Sequence, residues 1–186
     1  SRGLCPFCRT PPHTSDGELI ERLKKRMEGD NAAAISVLGG CYNDGAKGLR
    51  RNTAKAINFW RRAGELGNAK AYCNIGYAYH IGEGVERNEK KAKYYYELAA
   101  LGGNVGARHN LGNWEARVGN MNRALKHWMI SARAGDDDSL REIREAYLDG
   151  HATKDDFEKA LRAHKEAKDD MKSNHREAAA AALGLN

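Results

Sequence analysis

One stretch of this sequence is used four times, and that repetition limits the fold more than any other feature. Segments beginning at Asn31, Asn68, Asn104 and Asp136 align with one another, their starts 37, 36 and 32 residues apart. A period in this range marks a chain built from stacked copies of one supersecondary unit. Each copy reads as two helices. In the first helix Ala34, Leu38 and Tyr42 recur at helical spacing, matched by Ala71, Ile75 and Tyr79 and by Ala107 and Leu111. In the second helix a large ring sits between small residues: Ala56, Trp60, Ala63; Ala92, Tyr96, Ala99; Ala124, Trp128, Ser131. The fourth copy has Ala160, His164, Ala167. A ring of this size buries about 150–250 Å², a gross gain of roughly 4–6 kcal/mol at 25 cal/mol per Å². One helix pair cannot cover both of its own faces, so the pairs stack.

Glycine carries a second signal. Gly39, Gly76 and Gly112 follow the central apolar residue of the first helix in three copies. Each costs about 1 kcal/mol relative to alanine inside a helix. Paying it at one register three times predicts a close helix–helix approach there. Gly45, Gly82 and Gly150 fall where the first helix should stop. The third copy is shorter: 12 residues separate Gly112 from Ala124, against 17 and 16 in the first two copies, so four or five residues of connection are missing. In the fourth copy Arg144 and His164 stand at the glycine and ring positions, which suits an end that receives no further neighbour.

Ahead of the repeats, Ser15 and Glu18 form an S-x-x-E capping box. Leu19, Ile20, Leu23 and Met27 then make an apolar stripe. This segment reads as a helix over 15–30 that caps the first copy. The last residues, "HREAAAAALGLN", are strong helix formers. The expected organisation is therefore a leader at 1–14, a capping helix at 15–30, repeats over 31–171 and a helical tail at 172–186. The fold class is all-α: an α-solenoid of about four helix-turn-helix repeats with an N-terminal capping helix.

The pattern A-x-x-x-L-G-x-x-Y-x-x-G-x-G-V, followed by K-A-x-x-[YW]-[YW]-x-x-A-A-x-x-G, resembles the Sel1-like repeat, a relative of the tetratricopeptide repeat. The second copy carries it best, from Ala71, Ile75, Gly76, Tyr79, Gly82, Gly84 and Val85 through Lys91 and Ala92 to Ala99. The likeness is good over 31–135 and loose over 136–171. It implies an α-solenoid that acts as an adaptor or scaffold between protein partners, with no catalysis of its own.

Composition supports a globular chain, with 41% hydrophobic and 30% charged residues and only three prolines. No apolar run approaches a membrane span, and no signal peptide is visible. Residues 1–103 hold 17 Lys and Arg against 11 Asp and Glu, whereas 104–186 hold 14 of each. The whole net charge of +6 therefore lies in the first half. A basic half could attract nucleic acid, but a solvated helical surface is the plainer reading. Of the four cysteines, Cys41 and Cys73 fall within repeats and read as free thiols. A domain with this much core needs no disulfide framework. An intracellular location, cytoplasmic or nuclear, is the matching expectation.

Cys5 and Cys8 form C-P-x-C, followed by Arg9. The pair is similar to a glutaredoxin active site, but such a cysteine needs a helix N-terminus directly after it. Pro11 and Pro12 work against that. It also resembles the last ligand pair of a RING-type zinc finger. A tetrahedral zinc takes four ligands, and the remainder would have to come from outside this sequence, with His13 the nearest addition. That resemblance implies that residues 1–14 are a flexible remnant of a zinc-finger module and that zinc is bound only in a longer protein, in which the repeats would serve as the substrate-recruiting part of a ubiquitin ligase.

Elsewhere no H-E-x-x-H, P-loop or triad pattern occurs. "GEGVERNEKK" has no following G-K-[ST] and reads as a repeat loop. In a tetratricopeptide-like stack the first helices line the concave face. Off-stripe residues there are Ser36, Gly40 and Asn43; Cys73, Tyr77 and His80; His109, Asn113 and Ala116; and Arg141 and Glu145. Asn43, Tyr77, His80, His109, Asn113 and Arg141 are the candidate contacts for a protein or peptide partner, since their amide, phenol, imidazole and guanidinium groups can hydrogen-bond a peptide backbone.

Overall fold

The computed structural model describes residues 15–183, and every regular element among them is a helix. The helices fall into two compact units that divide after Asn104. The first unit holds α1 (Asp16–Glu28), α2 (Ala32–Asp44), α3 (Thr53–Glu65), α4 (Ala69–Ile81) and α5 (Glu89–Leu101). The second holds α6 (Val105–Arg117), α7 (Met121–Arg133), α8 (Asp137–Leu148) and α9 (Lys154–Leu183). The four predicted hairpins are thus α2–α3, α4–α5, α6–α7 and α8–α9, and the fold class is the all-helical repeat architecture expected.

The aligned starts are helix caps. Asn31, Asn68 and Asp136 each accept the backbone N–H three residues on, at 2.9, 3.0 and 2.8 Å. Asn52 and Asn88 do the same for α3 and α5. A short side-chain acceptor here satisfies one of the orphan donors of the first turn, a contribution of about 1 kcal/mol. The chain enters each cap through one repeated turn. Gly67, Gly103 and Gly135 have φ of 90°, 83° and 86°. The next amide reaches back five residues, from Asn68 to Ala63, Asn104 to Ala99 and Asp136 to Ser131. This is a Schellman closure, and its left-handed residue favours glycine. Asp30 occupies the same place after α1 with φ 51°.

Each ring lies inside its hairpin, with Trp60, Tyr96 and Trp128 all buried. The registered glycines explain how. A Cβ on Gly39 would stand 2.6 Å from Trp60 Nε1, and one on Gly76 would stand 2.7 Å from Tyr96 Cδ1. Gly112 faces Trp128 in the same way. The glycine therefore admits the ring of the second helix directly against the backbone of the first. The close approach is thus not of one helix backbone to another, as the sequence suggested, but of a ring to the backbone within one hairpin.

The first unit has two layers of core. Ile20 and Leu23 of α1 close over Ala34 and Leu38 of α2, with Met27 and Leu19 at the edge. This is the predicted cap. Ile35, Trp60, Ala63, Ala71 and Ile75 then join α2, α3 and α4. Tyr42 stacks on Phe59 at 5.5 Å and Tyr79 on Tyr95 at 5.8 Å. The Lys–Ala step of the repeat has a matching purpose. Lys55 and Lys91 set their ammonium groups 4.2 and 5.1 Å from the centroids of Tyr42 and Tyr79, a cation–π contact.

In the second unit Trp128, Ala132, Ile143, Ala146 and Ala160 form the core. The α6–α7 connection is only residues 118–120, against 45–52 and 82–88 in the earlier hairpins, so the deletion read from the sequence is real. His164, read from the sequence as suiting an end cap, is not left in solvent. It is buried at the ring position, with Nε2 2.9 Å from Asp137 Oδ1. Arg144, at the glycine position, is exposed. α9 continues without a break to Leu183, more than twice the length of the other second helices. Cys41 and Cys73 are free thiols. None of the described helices is long and apolar enough to cross a membrane.

Candidate functional site

In the first unit, Cys73, Tyr77 and His80 follow one another at one-turn spacing on α4 and share a face. Tyr77 is 52% exposed. His80 is half-buried, with Nδ1 3.9 Å from Glu89 Oε1, and Arg87 donates to the same carboxylate at 2.6 Å. Burial pushes the Cys73 thiol up to about 11, so it is a packing group and a poor nucleophile. Asn43 is partly buried near the end of α2. Its side-chain amide donates to Asp44 Oδ1 at 3.2 Å, and its backbone carbonyl accepts from Arg51 Nε at 3.0 Å. Tyr77 is the candidate in this unit that is open to a partner without first breaking an internal bond.

The second unit brings its candidates together into a relay. Trp128 Nε1–H donates to Asn113 Oδ1 at 2.8 Å. An indole nitrogen can only donate, so this bond fixes the amide orientation of Asn113. The Asn113 amide nitrogen then lies 2.9 Å from His109 Nε2 and must be the donor. His109 Nε2 therefore accepts, which places the ring proton on Nδ1. Nδ1 lies 2.9 Å from Ser139 Oγ and 3.5 Å from Asp136 Oδ2, and Asp136 is the α8 cap. The chain of bonds links α6, α7 and α8. His109 and Asn113 thus have structural work inside the unit, which the sequence did not indicate. Arg141 is exposed on α8 and pairs with Asp138 one turn back.

Beside the relay, α6, α7 and α8 enclose an open cavity of about 350 Å³. Asn113, Ala116 and Glu145, all off-stripe positions in the sequence, line it. Glu142 and Asp149 also line it and were not anticipated. The i, i+3, i+7 spacing of Glu142, Glu145 and Asp149 could have revealed their shared face. No group of three or more potential metal ligands gathers among the described residues. Cys5, Cys8 and His13 lie outside those residues.

Known proteins agree with this architecture. The Sel1 repeat family matches residues 32–68 and 69–104, which are the α2–α3 and α4–α5 hairpins. The chain is 34% identical over 98 residues to "ERAD-associated E3 ubiquitin-protein ligase component HRD3B" of Arabidopsis thaliana, a stretch covering 52% of this chain and 15% of that protein. Among solved structures, a Sel1 repeat protein from Oxalobacter formigenes superposes with a TM-score of 0.71 at 28% identity, covering 81% of this chain and 63% of that one. A protective antigen with an SLR fold from uropathogenic Escherichia coli superposes at 0.67 and 29% identity, covering 81% and 33%. The Sel1 repeat match covers residues 32–104, and the ring-on-glycine packing of those two hairpins recurs in α6–α7.

Proposed function

We propose that this chain is a protein–protein interaction scaffold that holds a peptide or loop of a partner against its first helices. The observation that carries the reading is the division of labour within each repeat. Rings of the second helices are buried at the registered glycines, so the outer faces of the first helices remain for recognition, with Tyr77 half-exposed on α4. Tyrosine suits such a role because it offers a large apolar face and a polar tip at low entropic cost. In the first unit Tyr77, His80 and Asn43 are the contacts. In the second, Arg141 contacts the partner directly, while His109 and Asn113 hold the surface in place. No catalytic residue or cofactor enters this reading.

The test is selection of a displayed random peptide library on the intact chain, followed by alanine replacement of Tyr77, His80 and Arg141. The expected result is enrichment of related peptides and a tenfold or greater loss of affinity in the triple variant, at unchanged helicity. Failure to enrich any peptide, or binding indifferent to all three substitutions, rejects the reading. Nucleic-acid binding through the basic first half is the competing outcome. It predicts retention on RNA or DNA that falls steeply with salt.

A second reading rests on the C-P-x-C pair. We propose that Cys5 and Cys8 are two ligands of a RING-type zinc site in a longer protein, whose repeats recruit the substrate of a ubiquitin ligase. Zinc analysis of the full gene product, with and without Cys5→Ser and Cys8→Ser, tests it. Equal zinc content in both rejects it.

A further inference from the structure

The cavity of the second unit has a chemistry that selects its occupant. Buried Trp128 and Ala146, with half-buried Ala116 and Met121, give it an apolar floor beside the polar Asn113. Its rim carries Glu142, Glu145 and Asp149. No cation among the described residues is seen paired with any of these three carboxylates, while nearby Asp136, Asp137 and Asp138 all have partners. Carboxylates one turn apart on a helix repel by about 0.2–0.5 kcal/mol per pair. Glu145 and Asp149 also sit at the C-terminal end of α8, where the helix presents its negative pole, and no basic residue occupies the last turn. The isolated chain thus carries an electrostatic cost at a ready-made apolar recess of about 350 Å³. A group with an apolar stem and a cationic head relieves it: the stem lies on the floor and the head reaches the rim.

We infer that this cavity is an anchor site for a lysine or arginine side chain of a partner polypeptide. The inference rests on the scaffold reading above and gives that partner a chemistry: an accessible basic residue on an extended segment. Trp128 keeps its N–H on Asn113, so the anchor packs on the carbon face of the indole.

The experiment is titration of the ¹⁵N-labelled intact chain with N-acetyl-arginine methylamide and N-acetyl-lysine methylamide, with the citrulline analogue as the neutral isostere. The inference expects saturable amide shifts confined to the cavity-lining residues with at least one cationic probe. It also expects citrulline to bind at least tenfold more weakly. The variant E142Q/E145Q/D149N should lose tenfold or more of the affinity while the rest of its spectrum is unchanged. No saturable shift, equal binding of citrulline, or full binding by the triple variant overturns the anchor. Should the triple variant misfold, E145Q alone must weaken the cationic probe and leave citrulline unaffected. Library-selected peptides that lack a basic residue and ignore the triple variant overturn the anchor and leave the scaffold standing. Cationic probes that bind while no peptide is ever selected do the reverse.

Discussion

Adjacent glycines in α2 offer a sharp test of the ring-on-backbone packing. Gly39 and Gly40 share one helix, and both should gain about 1 kcal/mol of helix propensity when replaced by alanine. Their surroundings differ completely. A Cβ on Gly40 meets nothing within 4 Å, so G40A should keep the whole gain. A Cβ on Gly39 would lie 2.6 Å from Trp60 Nε1, 2.7 Å from Trp60 Cδ1 and 3.3 Å from the Ala56 carbonyl. Trp60 has no room to retreat: it is 5% exposed and packed against Ala63 and Ile75. Its N–H also donates to the Ser36 carbonyl at 3.1 Å. Overpacking costs about 1–3 kcal/mol, and a displaced indole adds about 0.5–1.5 kcal/mol for the strained or lost bond. Set against the propensity gain, G39A should be destabilised by about 0.5–3.5 kcal/mol. The two neighbours should therefore shift stability in opposite directions. Thermal unfolding followed by circular dichroism reads this directly, at about 2–4 °C per kcal/mol for a chain of this size. If G39A is as stable as G40A or more so, the ring does not rest on the helix backbone and the account of the repeat fails.

Asn113→Ala should cost about 1–3 kcal/mol in urea denaturation because it strands the buried Trp128 N–H; unchanged stability would dissolve the relay. The Cys73 thiol, raised to about 11 by burial, should react with a disulfide reagent far more slowly at pH 8 in the folded chain than after denaturation. In a C5S/C8S/C41S background, which leaves Cys73 as the single thiol, a folded rate equal to the unfolded rate would contradict that burial. Asp137 is held below the usual 3.8, first by its hydrogen bond to Lys168 and then by His164. Asp156 is held below the same value by the Thr153 hydroxyl and amide. Depressed carboxylates contribute stability above their unfolded pKa and lose it as pH falls through the folded value. As pH falls below about 4 the native chain should thus lose more stability than D137N/D156N, and parallel acid limbs would refute both attributions.

Much of this architecture could be read directly from the residues. Asn31, Asn68 and Asp136 mark helix starts because a short side-chain acceptor is a local requirement that tertiary context does not override. Gly39, Gly76 and Gly112 could be recognised as expensive, and hence purposeful, from propensity alone. Which surface they admitted was another matter: facing a neighbouring helix and facing a ring of the same hairpin demand the same missing Cβ. The site was harder to read. Tyr77 and Glu145 emerge from register, but the engagement of His109 and Asn113 depends on where Trp128 Nε1 and Ser139 Oγ arrive from other helices. Periodicity fixes which face a residue occupies and leaves open what it meets.

The third hairpin shows why the family likeness stops at residue 104 while the fold goes on. In the neighbouring copies, the position four residues after the central apolar residue carries Tyr42, Tyr79 or Tyr147, and each stacks on another ring. In the third copy that position is Glu115, which is 2% exposed. A buried carboxylate is tolerable only when hydrogen-bonded, and here the shortened connection helps: Asn120 donates to Glu115 Oε2 at 3.0 Å, with Arg123 Nε 3.9 Å away. The longer loops of the first two copies instead bring apolar groups, Leu49 and Val85, onto the core. Deleting the loop removes such a cover, and the exchange of tyrosine for glutamate turns the same place into a polar joint. The two changes meet at Glu115: the tyrosine of the repeat is gone, the ring-on-glycine hairpin is kept, and the recess beside Trp128 is lined in part by the carboxylates of α8.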